Sequence, residues 1–353
     1  MSVKILHIAD LHLGRKFSFL DEDKAKIRYA EALLTLKDTI ERFTDAKLVI
    51  ISGDIFEEDC PLSAVDFVVN LFSAYTDKFF ALACGNHDPY ESKSIKYLMQ
   101  KLPSNAHVFL DSMDRIELRE MDVEIHGVSF CAPHCYTSLL SDFRAPDNGN
   151  IQIMAMHADI SPDSPYNPIS KSEISKSNLD YLALGHVHSF SGINNIDGVF
   201  CAYPGVLEPG GFDEAGSCGA IYGEVAKEYC QLEFYSTSKR EHTILEVDIS
   251  NMQSEEELIE KIKVSVCKDN LYKVILCGTR NNFLPNPKLY SELFDCFYIE
   301  FEDKSTNYDN ILNYTEEMSL RGKTALALLK LKNTCNDEVF EEACSILTEL
   351  MCR

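Results

Sequence analysis

Polar residues of the types that bind metal ions follow five apolar stretches of this chain. Their carboxylate, amide and imidazole donors suit Mn, Fe or Zn better than Ca or Mg. Two metal ions roughly 3.5–4 Å apart can hold an attacking oxygen and a phosphoryl oxygen together. The pattern therefore indicates metal-assisted attack of water on a phosphoester. The five groups are Asp10-Leu11-His12, Gly53-Asp54, Gly85-Asn86-His87-Asp88, His157 and Gly185-His186-Val187-His188.

A two-metal site needs a carboxylate that bridges the ions as well as separate ligands for each ion. Asp54 follows Gly53, and glycine lets the backbone turn sharply at a strand end, so Asp54 is the natural bridge. Asn86 can bind an ion through its amide oxygen. His87 then projects toward the substrate as an acid, and we expect Asp88 to orient its ring.

The remaining candidate ligands also lie where strands are expected to end. Asp10 and His12 are two residues apart and can both turn toward one ion. His157 follows another apolar run, and His186 and His188 alternate after the next one, so they could reach different ions. Each residue alone has an ordinary structural explanation, but five polar motifs at five strand ends are hard to explain by core packing. The histidines outside the set are interpreted as structural: His7, His107, His126, His134 and His242.

The elements that would position these residues alternate between strand and helix before the chain becomes rich in strands. The early strands are expected at 3–9, 47–52 and 79–84, and the helices at 24–43, 62–76 and 92–101. Many short strands follow, which predicts an α/β fold of two packed sheets with helices outside, an α/β/β/α sandwich. Open α/β sheets bind ligands at the carboxyl ends of their strands, where the five motifs lie.

Composition shifts suggest three segments. We expect a first domain over 1–240, with a proline- and serine-rich surface loop at 158–178. A small α+β module follows a linker and covers 241–318. Two helices at 319–353 close the sequence, and their apolar faces could either dock a partner or pack on the module.

The bulk composition favours a globular protein without a membrane span. The chain has 353 residues, of which 45% are hydrophobic, and no apolar run approaches the roughly 18 residues of a transmembrane helix. The first residues already form a strand and lack the features of a signal peptide, so we expect a cytoplasmic protein. The 13 cysteines include no CxxC pair, which disfavours a structural zinc site.

The net charge bears on the substrate. It is −23 for the whole chain, of which residues 241–353 contribute −9 and the rest −14, and neither part has a basic run. Affinity for nucleic acid comes largely from lysine and arginine side chains that neutralise phosphates. The charge therefore argues against strong DNA binding by this chain alone, although bound divalent metals are themselves large local charges.

The set D-x-H, G-D, G-N-H-D, H and G-H-x-H resembles the calcineurin-like metallophosphoesterase superfamily. More narrowly, the chain resembles the SbcD and Mre11 group of nucleases. That likeness rests on the stretches from Ile5 to Gly14 and Ser52 to Phe56, on Tyr203-Pro204-Gly205, and on Gly211-Phe212-Asp213-Glu214. The α+β module looks like the cap domain of that group. The resemblance implies a metallophosphoesterase sandwich with a cap domain and C-terminal helices.

The resemblance also implies a division of ligands. One ion would be held by Asp10, His12, Asp54 and His188, and the other by Asp54, Asn86, His157 and His186. His87 would protonate the leaving oxygen or stabilise the transition state. The usual activating ion of the group is Mn²⁺, with Fe, Zn or Mg as alternatives. The implied activity is DNA exonuclease and endonuclease action in DNA repair and recombination, and the implied partners are DNA, an ABC-type coiled-coil ATPase of the SbcC/Rad50 kind, and a second copy in a homodimer.

Departures from the group keep other functions open. Glu57 stands where the Mre11 branch has a second histidine, and Val206 where a serine is common. Together with the acidity they leave open a phosphodiesterase that acts on small nucleotides or other phosphodiesters. A protein phosphatase is disfavoured because Ile55 and Phe56, not Asp-Arg-Gly, follow Asp54. A non-catalytic scaffold is disfavoured because no ligand of the pattern is missing.

Overall fold

The structure is a computed structural model that describes residues 2–280, 285–307, 311–332 and 334–351. Contacts divide the chain into two units, Met1–Glu241 and His242–Arg353, and we describe each by itself. The expected division into residues 1–240, 241–318 and 319–353 stays a prediction at that level of detail.

The first unit alternates strands and helices and then continues mainly as strands. Its elements in chain order are β1 Ser2–Ile8, α1 Glu22–Arg42, β2 Leu48–Ser52, α2 Leu62–Ala74, β3 Phe79–Ala83, α3 Lys93–Lys101, β4 Ala106–Val108, β5 Asp114–Leu118, β6 Val123–Val128, β7 Ile151–His157, α4 Lys171–Lys176, β8 Tyr181–Gly185, β9 Asn194–Ile196, β10 Val199–Ala202, β11 Gly219–Ala226 and β12 Tyr229–Ser236.

One sheet has the strand order β12-β11-β1-β2-β3-β4, in which β1 to β4 are parallel, β11 pairs antiparallel with β1, and β12 pairs antiparallel with β11. Alternate residues of β1 face opposite sides, as the pleat of a strand requires. Leu6 and Ile8 pack with the apolar faces of α1 to α3, while Val3 and Ile5 pack toward the other sheet. All of β2 is buried, as is typical of a parallel strand covered on both faces.

The other sheet has the order β5-β6-β7-β8-β10-β9, with β6, β7, β8 and β10 parallel. Its inner face packs on the first sheet through residues such as Ile153, Ala155 and Ala183. Its outer face is covered by α4 and by loop residues including Leu140 and Leu179. The expected α/β sandwich of two sheets with outer helices is confirmed.

The second unit holds a small sheet and several helices. Strands β13 His242–Asp248, β14 Leu271–Cys277 and β16 Tyr298–Asp303 form a parallel sheet in which β14 is central. Its other elements are α5 Glu255–Lys263, β15 Thr279–Arg280, α6 Pro287–Tyr290, β17 Thr306–Asn307, α7 Leu320–Leu331 and α8 Asp337–Met351.

Most expected elements of the first unit lie within two residues of the observed bounds. The segment 158–178, which the sequence predicts to be a loop throughout, differs in the structure. It contains α4, which begins with a capping box in which the Ser170 side chain accepts from the Glu173 backbone and Glu173 reaches back to Ser170. Among the described helices, none has the length and apolarity needed to cross a bilayer.

A chain of buried hydrogen bonds joins the two sheets beneath the strand ends. Ser52 Oγ donates to the carbonyl of Ala183 at 3.0 Å, so it accepts from His7 Nε2 at 3.1 Å. His7 Nδ1 then accepts from the Tyr181 hydroxyl at 2.8 Å. His7 is therefore a structural histidine whose ring protons are fixed by β2 and β8.

We expect Tyr181→Phe to lower the free energy of unfolding by about 1–3 kcal/mol, because it leaves the buried Nδ1 of His7 without a donor. The measurement is urea unfolding of the full chain followed by circular dichroism. Tyr229→Phe is the matched control, since that tyrosine is 54% exposed. Equal small effects of the two substitutions would contradict the assignment.

The same histidine predicts a pH dependence of stability. Burial lowers the pKa of His7 to about 3, whereas the unfolded chain titrates at its ordinary value near 6.5. Between these values the unfolded chain binds one proton more, so the contribution is complete above about pH 6.5 and is lost as the pH falls toward 3. We expect His7→Gln to reduce the slope of unfolding free energy against pH, between about pH 4 and about pH 6, by close to 1.4 kcal/mol per unit. An unchanged slope would contradict this account.

Candidate metal centre

The candidate ligands come together where strands of both sheets end. Strands β1, β2 and β3 of one sheet and β7 and β8 of the other are parallel within their sheets, so their carboxyl ends share an edge. Because the two sheets pack face to face, the loops after these strands meet. The side chains delivered there are Asp10, His12, Asp54, Asn86, His157, His186 and His188.

One group of donors consists of Asp10, His12 and His188, whose ligand atoms all lie within 4.8 Å of one another. His12 Nε2 and His188 Nε2 are 3.2 Å apart. His188 Nε2 is 3.9 Å from Asp10 Oδ1, and His12 Nε2 is 3.8 Å from Asp54 Oδ2. These are the four residues expected to hold the first ion.

A second group consists of Asp10, Asp54 and His157. His157 Nε2 lies 3.4 Å from Asp54 Oδ2 and 3.0 Å from Asn86 Oδ1. Its Nδ1 lies 3.0 Å from the carbonyl of Ser52, which accepts the ring proton and leaves Nε2 available as a ligand. Asp54 Oδ2 thus lies between donors of both groups, where a bridging carboxylate must be.

The donor set fits divalent metal ions. Two ligands about 2.1 Å from one ion and at right angles are about 3 Å apart, which is close to the separations of the imidazole, amide and carboxylate atoms. Asp10, Asp54 and His157 are buried, and burial raises the pKa of Asp10 because its charged form is poorly solvated there. Converging lone pairs and charges of this kind are stabilised by a cation.

His186 follows β8 but is in none of the donor groups found among the described residues. Its backbone N–H donates to Asp10 at 3.1 Å. Its ring lies edge-on to that of His157 at 5.2 Å and 4.7 Å from that of Tyr166. His186 therefore helps to fix Asp10, and its role as a ligand stays a prediction.

The expected role of Asp88 is wrong. Its buried carboxylate accepts from the backbone N–H groups of Gly85, Ile55 and Phe56 at 2.8–3.1 Å. It therefore joins the loops after β2 and β3 rather than orienting the His87 ring. The carboxylate beside that ring is Glu57, whose Oε2 lies 3.2 Å from His87 Nδ1.

His87 lies at the mouth of the site with its side chain 44% exposed. The contact with Glu57 raises its pKa, which favours the protonated ring. Because Nδ1 is held by Glu57, Nε2 is the atom left to meet a substrate. A groove of about 610 Å³ starts at Asn86 and His87, and its wall includes Tyr166 and His134.

Several strand-end residues have left-handed backbone conformations, with φ of 52° at Asp10, 45° at His12, 50° at Asp54 and 110° at His186. Such conformations are costly for residues with a side chain and are common at functional sites. Gly85 is needed for a different reason: it leaves space for the Asp54 carboxylate, because a Cβ at this position would lie 2.1 Å from Asp54 Oδ1.

Sequence reasoning missed three residues beside the donors: Glu57 and Glu214 contact His12 and His188, and Arg15 contacts both carboxylates. In the sequence, Glu57 is apparent only as a departure from the family pattern and Glu214 only as part of a motif, and the motifs do not include Arg15. Arg15 and Glu57 could have been found by their position after the first two motifs. Nothing in the sequence indicates that Glu214 meets them. Val206 is completely buried and is not among the residues that line the groove.

The comparison with known families agrees with this geometry. The model of the calcineurin-like phosphoesterases matches residues 3–190, which is more than half of the chain and includes all the donors. The chain belongs to this family. As a calcineurin-like phosphoesterase it is a hydrolase of phosphoester bonds, and the donor groups described above are its candidate metal site.

Similar proteins include two archaeal repair proteins. The DNA double-strand break repair protein Mre11 of Saccharolobus solfataricus is 24% identical, with 98% of this chain and 99% of that protein covered. The protein of the same name from Aeropyrum pernix is 24% identical over 70% of this chain and 64% of its own length. The uncharacterized metallophosphoesterase YhaO of Bacillus subtilis is 23% identical over 74% of this chain and 67% of its own length.

We expect Gly85→Ala to weaken the binding of a divalent metal ion, probed with Mn²⁺, by about 10- to 100-fold, because the added methyl group must displace the Asp54 carboxylate. Isothermal titration calorimetry of the metal-free protein measures the change. Gly149→Ala is the control: that glycine has φ of +86° but open space around it, so the substitution carries only backbone strain. Equal affinities in the two variants would show that Asp54 does not depend on this close approach.

Proposed function

We propose that this phosphoesterase is a two-metal phosphodiesterase whose substrate is DNA, and that it acts as an exonuclease and endonuclease with Mn²⁺. The observation that carries the two-metal part is the position of Asp54 Oδ2, 3.8 Å from His12 Nε2 and 3.4 Å from His157 Nε2. One carboxylate oxygen between two donor groups is what a bridged metal pair requires. The names of the two archaeal relatives support the choice of DNA.

The proposed ligands form two sets of four that share Asp54. Asp10, His12, Asp54 and His188 would hold one ion, and Asp54, Asn86, His157 and His186 the other. When bound, such ions supply Lewis-acid stabilisation of the phosphoryl oxygens and make water more acidic.

His87 would donate a proton from Nε2 to the leaving oxygen. General-acid catalysis of this kind typically contributes about 10²- to 10⁴-fold. Glu57 keeps its ring oriented through Nδ1. The His87 backbone N–H also donates to Asp54 Oδ1 at 2.9 Å, which ties the acid to the bridging carboxylate.

The negative charge of the chain and of the groove supports a role for a partner protein in DNA binding. The net charge is −23, and the groove beside the site is lined by Glu58, Asp59 and Glu91 against the single lysine Lys93 of its lining. A long DNA substrate would be repelled by this wall. We therefore propose that an ABC-type coiled-coil ATPase supplies the basic DNA-binding surface, with α7 and α8 as the docking element and a homodimer as the assembly.

The same acidic groove favours a second candidate. A phosphodiesterase for a small nucleotide or another small diester needs no extended basic surface. A groove of about 610 Å³ is in the range of small-molecule sites. The two candidates share the metal chemistry and differ in the size of the substrate.

Substrate size is tested with Mn²⁺, bis-p-nitrophenyl phosphate, single-stranded DNA and DNA hairpins, each with and without the ATPase. We expect cleavage of the aryl diester by the protein alone and of DNA when the ATPase is present. Cleavage of the aryl diester with no DNA cleavage in either condition would decide for the small-substrate candidate. No hydrolysis of any diester with Mn, Fe, Zn or Mg would overturn both.

We expect His87→Asn to lower kcat for a DNA hairpin, cleaved in the presence of the ATPase, by about 10²- to 10⁴-fold, because the alkoxide leaving oxygen of DNA needs a proton. The affinity for Mn²⁺ should stay within a few-fold, because the substitution removes the acid but no ligand. His107→Asn is the control, since that ring contacts Asp114 away from the donors. Full activity of His87→Asn would refute its role as the acid.

A further inference from the structure

Three side chains beside the two groups of candidate ligands described above form one polar cluster. Arg15 Nη1 lies 2.9 Å from Oε1 and 2.8 Å from Oε2 of Glu214. Arg15 Nε lies 3.4 Å from Oε1 of Glu57. The side chains of Arg15, Glu57 and Glu214 are 21%, 23% and 5% exposed, so water screens their contacts only in part. One guanidinium group therefore contacts two carboxylates that are more than 150 residues apart in sequence.

Each carboxylate also reaches the outer nitrogen of one metal-site histidine. Glu214 Oε1 lies 2.7 Å from His188 Nδ1. Glu57 Oε1 lies 3.0 Å from His12 Nδ1, a close ion-pair contact that is not aligned as a hydrogen bond, and this buried nitrogen has no hydrogen-bond partner among the described residues. A carboxylate accepts hydrogen bonds but donates none. Each contact is therefore favourable only when the proton of the imidazole is on Nδ1.

The position of these protons decides what the inner nitrogens can do. A neutral imidazole carries one proton, so a proton on Nδ1 leaves a lone pair on Nε2. The Nε2 atoms of His12 and His188 are 3.2 Å apart. Two lone pairs at that distance repel each other, and a cation that accepts both converts the repulsion into binding. The opposite tautomer at either ring would place a proton where the ion must bind.

The positive charge of Arg15 stabilises the two partly buried carboxylates of Glu57 and Glu214. The guanidinium group of Arg15 lies within 2.9 Å of both oxygens of Glu214, so its positive charge offsets the cost of burying that carboxylate. The backbone N–H of Gly210 adds a donor to Glu214 Oε2 at 2.6 Å. Gly210 also makes room for the guanidinium group, because a Cβ there would lie 1.5 Å from Arg15 Nη1.

We propose that Arg15, Glu57 and Glu214 form a positioning unit that fixes the Nδ1–H tautomers of His12 and His188, so that both Nε2 atoms are available to the same metal ion. These residues act through the histidines and need not touch the substrate. Glu57 uses its other oxygen for His87, so the unit also joins the first ion position to the proposed acid. The inference rests on the proposed two-metal site and assigns how one half of it is preorganised.

Substitution by glutamine gives the sharpest test because it keeps the shape of the side chain. In Glu214→Gln the amide NH₂ can face His188 Nδ1, where it favours the Nε2–H tautomer that cannot bind metal. We expect a 10- to 100-fold weaker affinity for Mn²⁺, as for other outer partners of metal ligands. Glu57→Gln should act in the same way on His12, and Gly210→Ala should act on both histidines by displacing Arg15. Glu58→Gln is the matched control, since Glu58 is the exposed neighbour of Glu57.

The direct readout is the tautomer of each ring in the metal-free protein. Nitrogen-15 spectra of histidine-labelled full-length protein distinguish Nδ1–H from Nε2–H, and signals are assigned by their loss in His12→Asn and His188→Asn. We expect Nδ1–H at both rings in the wild type and in Glu58→Gln, and loss of Nδ1–H at His188 in Glu214→Gln. Mn²⁺ titration by calorimetry then relates each tautomer to the affinity.

Nε2–H tautomers in the wild type would overturn the proposal, as would unchanged tautomers and Mn²⁺ affinity in Glu214→Gln. Glu214→Asp keeps the carboxylate and guards against misfolding: recovery of Nδ1–H with the shorter acid supports positioning, whereas a loss equal to that of glutamine contradicts it. The tautomers and the metal affinity do not depend on hydrolysis. A protein that binds Mn²⁺ with the expected tautomers but cleaves no diester would refute the proposed function and leave the positioning unit standing.

Discussion

Donor atoms that would repel one another must lie within 3–4 Å of each other, and the rest of this structure depends on how that is arranged. Asp10 and Asp54 are buried carboxylates, and the inner nitrogens of His12 and His188 are 3.2 Å apart. Burying such groups is costly unless each has a partner. Backbone N–H groups of His186 and His87 contact the two aspartates, and outer acceptors hold the imidazoles. A cation supplies the remaining stabilisation, so the fold prepares a site that is complete only with metal.

The two-sheet architecture makes this arrangement possible. Parallel strands deliver their carboxyl ends to one edge, and face-to-face packing of two such sheets brings ligands from both together. The buried chain from Tyr181 through His7 to Ser52 ties the sheets immediately below the site. The carbonyl of the same Ser52 accepts from His157 Nδ1, so the register between the sheets also sets the position of a donor. Stability and metal binding thus share one set of contacts.

Chemistry and substrate recognition are separated in this molecule. In the proposed function, the donor groups and His87 would serve hydrolysis of a phosphodiester of any size. The groove beside them is acidic, and the chain as a whole carries a net charge of −23. Recognition of a long polyanion therefore requires positive charge from elsewhere, whereas a small diester requires none. The choice between DNA and a small substrate is in this sense a question about partners more than about the metal site.

The sequence by itself determined the fold class, the strand ends and the candidate ligands. It could do so because each ligand lies within four residues of a buried strand, and strand patterns and adjacent polar residues are local features. The tertiary structure decided which groups surround the ligands. In the structure Glu57, and not Asp88, contacts the His87 ring. Arg15 contacts Glu214, which lies far from it in the sequence of the first unit. Such pairings are set by the packing of sheets and loops distant in sequence, and spacing along the chain carries no record of them.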